Sequence, residues 1–243
     1  RTELEGKNYS YLGRFLDVTK ANLFFTQGVI LVEGTTEQLL IPEFAKILGY
    51  NLTDYGISII STNNLGFEHF VNIFKRKKAP YNQIPIAVIT DADKRQKAAI
   101  DTYVTKIKDN NNRVGCFVGE QLYSDSDPGS DDNKKTTFEK IIFKNATKLK
   151  ELYIQTYNSL KSRTENATAE MDIEQLYKKM DTEKAPIAQE VAQRLSETLD
   201  VSARSDIKKE IKDKLNYIRD AVEFVIPKQA TVEGGNTAAS ITE

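Results

Sequence analysis

Two short runs constrain the fold of this chain more than anything else in it. Val29-Ile30-Leu31-Val32 leads into Glu33-Gly34-Thr35-Thr36-Glu37, and Ile86-Ala87-Val88-Ile89-Thr90 leads into Asp91-Ala92-Asp93. Apolar, β-branched runs of this length read as strands buried on both faces, the habit of parallel sheets. Both end abruptly in carboxylates. In open α/β sheets the carboxyl ends of the strands line the crevice where ligands bind. Set side by side, the two strands would gather Glu33, Glu37, Asp91 and Asp93 around one small volume. Clustered carboxylates repel unless cations lie among them, and hard divalent cations take oxygen ligands. The expectation is a Mg²⁺ or Mn²⁺ site.

The flanking pattern supports an α/β class. Strands are expected at 29–32, 57–60, 86–90 and 114–118, separated by helical periodicity at 36–48, 66–78 and 94–108. Such alternation is the signature of a parallel sheet with crossover helices. Gly49 suits the end of the first helix, whereas Pro42 inside it predicts a kink or a late start. After a long acidic loop, 119–135, the pattern turns helical for good, at 137–160, 172–180, 187–199 and 204–226. This second half packs onto the first or forms an appendage. The division expected is an entry segment 1–22, an α/β core 23–145, a helical part 146–226 that completes the site and a flexible tail 227–243. The chain opens on Arg1 rather than Met, and we expect it to be a piece of something longer.

Composition narrows the chemistry. Cys116 is the only cysteine and His69 the only histidine. Thiolate zinc sites and sites needing two histidines are excluded, and no intrachain disulfide can form. A reducing, cytoplasmic compartment fits, and no apolar run reaches the length of a membrane span. The formal net charge of −1 argues against a broad electrostatic clamp on nucleic acid within this segment.

Several candidate residues carry an ordinary structural explanation beside the functional one. Glu37 suits the first turn of a helix, where the dipole favours an acid. Asp91 and Asp93 suit a turn after a strand. Thr136 and Glu139 form a capping box for the helix that follows. Lys184, just before Pro186, reads first as a solvated lysine, although a cation is mildly disfavoured at a helix start. Lys75-Arg76-Lys77-Lys78 suits the end of a helix, with contact to nucleic-acid phosphates as the lesser reading. His69 and Cys116 read as packing residues.

Taken as an ordered set, these residues resemble the Toprim domain, and within it the OLD (overcoming lysogenisation defect) nucleases. Val32-Glu33-Gly34 matches the Toprim glutamate motif and Thr90-Asp91-Ala92-Asp93 the Asp-x-Asp motif. Phe15-Leu16-Asp17-Val18 through Phe24-Phe25, followed by the run Val29 to Glu37, looks like the OLD entry into its Toprim domain, and so does the helix Gln38-Leu39-Leu40-Ile41-Pro42. Thr137-Phe138-Glu139 resembles a Thr-Leu-Glu motif, with Phe138 in place of Leu. Lys184 ahead of Ile187-Ala188-Gln189 resembles a late lysine before a Phe-Ala-Gln helix. The likeness covers roughly residues 10 to 200. The loop 119–135 is longer and more acidic than the pattern expects.

The resemblance implies a Toprim, Rossmann-like parallel sheet flanked by helices, with an additional helical C-terminal part. It implies a DNA endonuclease that hydrolyses phosphodiesters with two Mg²⁺ or Mn²⁺ ions. Glu33, Glu37, Asp91 and Asp93 would hold the ions, Glu139 would complete the second position, and Thr137 would add an oxygen. Lys184 would neutralise charge on the pentacovalent phosphate, with Glu33 and Asp91 the other catalytic residues. It also implies an ATPase domain upstream, since the chain has no Gly-x-x-x-x-Gly-Lys-Ser/Thr, together with a homo-oligomer in the full-length protein and a role in phage defence. Two other readings stay open: a topoisomerase- or primase-like Toprim domain, and a non-catalytic module that binds cations and serves assembly.

Overall fold

The structure is a computed structural model and describes residues 25–63, 66–92, 97–123, 135–160 and 166–227. The entry segment 1–22, Phe24, Asp93, most of the acidic loop and the tail from 228 lie outside the described residues.

Strands β1 (Gly28–Val32), β2 (Ile57–Ser61), β3 (Ile86–Thr90) and β4 (Val114–Val118) form one parallel sheet in the order β2-β1-β3-β4. Every residue of β1 and β3 is buried, as the unbroken apolar runs require, and these two strands take the centre. Their register sets Val29 opposite Ile86 and Leu31 opposite Val88, so their carboxyl ends lie together. The edge strand β2 carries Ser58 and Ser61 and is only partly buried.

Side-chain alternation divides the core between two faces. Val29, Leu31, Ile86 and Val88 pack under α2 (Phe67–Phe74) and α3 (Lys97–Ile107), chiefly against Phe67, Phe70, Val71, Phe74 and Ile107. Ile30, Val32, Ala87 and Ile89 face α1 (Thr35–Leu48) and the helices of the second half. Those helices are α4 (Phe138–Asn145), α5 (Thr147–Leu160), α6 (Ile173–Met180), α7 (Lys184–Glu197), α8 (Val201–Lys214) and α9 (Asn216–Val225), with a 3₁₀ turn at Asp181–Glu183. The second half therefore packs onto the first. α7 lies against α1, and α9 against β3 and β4. Ile218, Val222 and Val225 of α9 are fully buried, each contributing about 1.5–3 kcal/mol of burial.

Four local expectations are corrected. Of the two outcomes expected of Pro42, the late start does not occur: α1 begins at Thr35, carries Pro42 inside it and ends before Gly49, whose φ is 110°. The helix expected over 66–78 stops at Phe74, because Lys75 is extended (ψ 134°). The segment 137–160 is two helices. Ala146 breaks it, and the free amides of Lys148 and Leu149 are met by the Glu210 carboxylate of α8 at 2.8 and 3.1 Å. The segment 204–226 is likewise two helices, divided at the fully buried Leu215.

Candidate active site

The site begins where β1 and β3 end. Glu33 follows β1, and its Oε1 accepts hydrogen bonds from the Thr90 hydroxyl and from the Asp91 amide, the latter at 3.0 Å. A side chain from one strand end is thus pinned to the backbone of the other. Asp91 in turn accepts the Phe138 amide at 3.1 Å through Oδ2. Phe138 opens α4, so the carboxylate meets a free amide and the positive end of that helix's dipole. Gly119, just past β4, keeps the frame tight. Its amide donates to the Thr90 carbonyl at 3.1 Å, and a Cβ there would fall 2.4 Å from Ile141 Cδ1 of α4.

Glu37 sits in the first turn of α1 and Glu139 in the first turn of α4, each only 7% exposed. The N-cap of α4 is Thr137, whose hydroxyl oxygen accepts the Lys140 amide at 3.4 Å. The expected capping box on Thr136 is therefore corrected. Thr136 is buried and accepts the Leu122 amide instead, which leaves Glu139 free of a capping role there. Lys184, the first residue of α7, closes the far side. Glu33, Glu37, Asp91, Thr137, Glu139 and Lys184 all line one cleft of about 710 Å³.

The electrostatics identify a strained acidic cluster. Burial pushes the Glu37 carboxyl up to about 7, helped by the charges of Glu139 and Glu33 and opposed by two amides at the start of α1. Burial, followed by Glu33, Glu37 and Glu139, holds Asp91 well above the ordinary carboxylate range. Desolvation works against the Lys184 ammonium, yet Glu139, Asp181 and Tyr177 outweigh it and hold it above an ordinary lysine. Oxygen donors, buried and mutually repelling, fit hard divalent cations. Among the described residues no three acidic, histidine or cysteine side chains already converge on one point. Glu33 and Asp91 hold backbone amides as they stand.

The basic run lies elsewhere. α2 returns from the carboxyl edge, so Lys75–Lys78 follows it to the amino edge of the sheet, away from the cleft. Lys75 is buried, and its ammonium donates to the Lys106 carbonyl at 3.2 Å in the last turn of α3. The expectation that Lys75 contacts phosphates is corrected on that ground. Arg76, Lys77 and Lys78 are exposed there.

Sequence reasoning missed a set of groups around the cleft. Lys140 is 1% exposed and pairs with Glu174 at 2.9 Å. Tyr153 and Tyr217 are buried with hydroxyls that have no hydrogen-bond partner among the described residues. Burial raises both phenols, Glu139 adds to it at Tyr153, and Asp91 and Glu37 add to it at Tyr217. A tyrosine at helical spacing carries no local sign that it will lie beneath carboxylates.

Residues 24–93 match the family model for the overcoming lysogenization defect protein-like TOPRIM domain. Two solved structures share the fold. The C-terminal region of the Burkholderia pseudomallei OLD protein is 24% identical, with a TM-score of 0.54 over 82% of this chain and 100% of that one. The C-terminal region of the Xanthomonas campestris pv. campestris OLD protein is 21% identical, with a TM-score of 0.52 over 83% and 96%. A comparison with curated protein sequences finds no match.

Proposed function

We propose, on the premise that this chain carries an OLD-like Toprim segment within an OLD C-terminal fold, that it is a metal-dependent DNA endonuclease. One observation carries the proposal: Glu33 is bonded to the Asp91 amide, in a cleft that also holds Glu37, Glu139 and Lys184. Carboxylates from two strand ends and two helix starts line that one cleft. Glu33, Glu37, Asp91, Asp93 and Glu139 would hold two Mg²⁺ or Mn²⁺ ions, with Thr137 as a neutral oxygen. When bound, such ions supply Lewis acidity to a phosphodiester and to its attacking water.

The chain's own residues do the rest. The first amide of α4 keeps Asp91 facing the cleft, and the Thr90 hydroxyl and Asp91 amide orient Glu33. Lys184 offers a fixed cation to the charge that grows on the phosphate as it becomes five-coordinate. DNA is the substrate in this reading, the upstream ATPase a neighbouring domain, the cytoplasm the location and phage defence the setting. No described helix is long and apolar enough to cross a membrane.

Nicking of a supercoiled plasmid with Mg²⁺ or Mn²⁺ tests the proposal. Glu33→Gln should lower the rate by about 10³-fold, since each ion is worth several kcal/mol in the transition state. Full activity in that variant would overturn the assignment, and metal binding without cleavage in the unaltered protein would favour the cation-binding module.

A further inference from the structure

We propose that Tyr177, seconded by Asp181, is a positioning residue that holds the Lys184 ammonium in the cleft; its kinetic consequence rests on the nuclease reading above, its structural claim does not. A lysine at the first position of a helix is poorly placed by its own backbone. The helix dipole disfavours the charge, and the long stem has many rotamers. Lys184 is nevertheless held at two points. Its Nζ donates to the Tyr177 hydroxyl at 2.5 Å and to Asp181 Oδ1 at 2.8 Å. A surface pair three residues apart would explain Asp181 alone. It does not explain the phenol oxygen that meets the same ammonium.

Tyr177 is itself fixed from behind. The Lys140 ammonium lies 4.5 Å from its ring centroid, and that side chain is 1% exposed. Lys140 donates to the Lys135 carbonyl at 2.9 Å and pairs with Glu174, which takes the Tyr123 hydroxyl. Since Lys140 follows Glu139 on α4, the same helix start that presents a carboxylate to the cleft also anchors α6. The 3₁₀ turn Asp181–Glu183 then delivers Lys184 opposite that carboxylate. The acidic side of the cleft and its cation are thereby held in one frame, from Glu174 through Lys140 and Tyr177 to Lys184.

The test has two readouts on the full chain. The first is acylation of lysines in the native protein by an amine-reactive ester, followed by mass spectrometry, with exposed Lys212 as internal reference. Tyr177→Phe keeps the ring and removes the hydroxyl, and should speed labelling of Lys184 relative to Lys212 by about 10-fold, the worth of a hydrogen bond to a charged group. The second is plasmid nicking, where kcat should fall by about 10-fold while KM stays within about 2-fold, because the loss is made in the transition state. If Tyr177→Phe fails to fold, Asp181→Asn, at a side chain 50% exposed, carries the same labelling test with the same direction. Unchanged Lys184 labelling overturns the proposal whether or not the protein cleaves DNA. Faster labelling in a protein that never nicks sustains the positioning and sinks only the nuclease reading.

Discussion

The two edges of the sheet make opposite use of charge. At the amino edge, the fold meets its own polar groups. Lys75 serves a helix carbonyl, and Asn112 accepts the amides of Arg76 and Asn82 at 2.9 and 3.1 Å while donating to the Arg76 carbonyl and to Asp109. At the carboxyl edge, burial and the charges of Glu33 and Glu139 raise the affinity of Glu37 and Asp91 for protons, and Lys184 beside them is held above an ordinary lysine. The contrast teaches where stability and function separate. Buried polar groups that are mutually satisfied hold the frame, whereas a cluster left under-compensated is a seat for something bound.

Breaking the amino edge should give the largest effect on folding. Asn112→Ala would leave the buried Asn82 amide and the part-buried Arg76 amide and carbonyl without their partner, at a cost on the order of 4 kcal/mol. Urea denaturation measures that loss, and nicking per folded molecule should be unchanged. Lost nicking at full foldedness would mean the two edges are not independent.

Titrating the carboxyl edge comes next. The folded protein holds a proton on Glu37 up to about 7, against an ordinary 4.5, so it binds that proton more tightly than the unfolded chain. The stability from this group is complete below about 4.5 and is lost as pH rises through about 7, a span of about 3 kcal/mol. Asp91 adds to the same sign. Metal-free protein should therefore lose stability between about pH 4.5 and about pH 7, and saturating Mn²⁺ should flatten the slope. Glu37→Gln should weaken the pH dependence and stabilise the metal-free protein at the alkaline end. A flat profile in the unaltered protein would remove the electrostatic half of the comparison.

The smallest effect sharpens the boundary between the two regions. Tyr217→Phe deletes a buried hydroxyl that has no partner among the described residues, and should stabilise the metal-free protein by about 1 kcal/mol. Thermal denaturation checks it. A loss of stability would show that the hydroxyl belongs to the acidic cluster.

The strands, the alternation of elements and the placing of Glu33 and Asp91 were legible in the sequence, because an unbroken apolar, β-branched run and a carboxylate at its end are local signals. Glu37 was legible as an acid in a first turn, and the structure adds that this turn is buried. The break at Ala146 was not legible, since the group that caps the next helix, Glu210, lies 62 residues from Lys148. The shortening of α2 was hidden for a similar reason: the buried Lys75 donates its hydrogen bond to a carbonyl of α3, 31 residues on.

What the chain determined by itself is a list of elements and the end of each strand that carries acid, since both follow from side-chain period and type along neighbouring residues. What only the tertiary structure decided is which acids meet and what stands opposite them. Glu139 enters the cleft because Asp91 holds the first amide of α4, and Lys184 enters because Tyr177 and Asp181 hold its ammonium. The first position rests on a bond between residues 47 apart, which no short window of sequence contains, whereas the partners of Lys184 lie within seven residues of it and meet it only where α6 and the 3₁₀ turn fold them together.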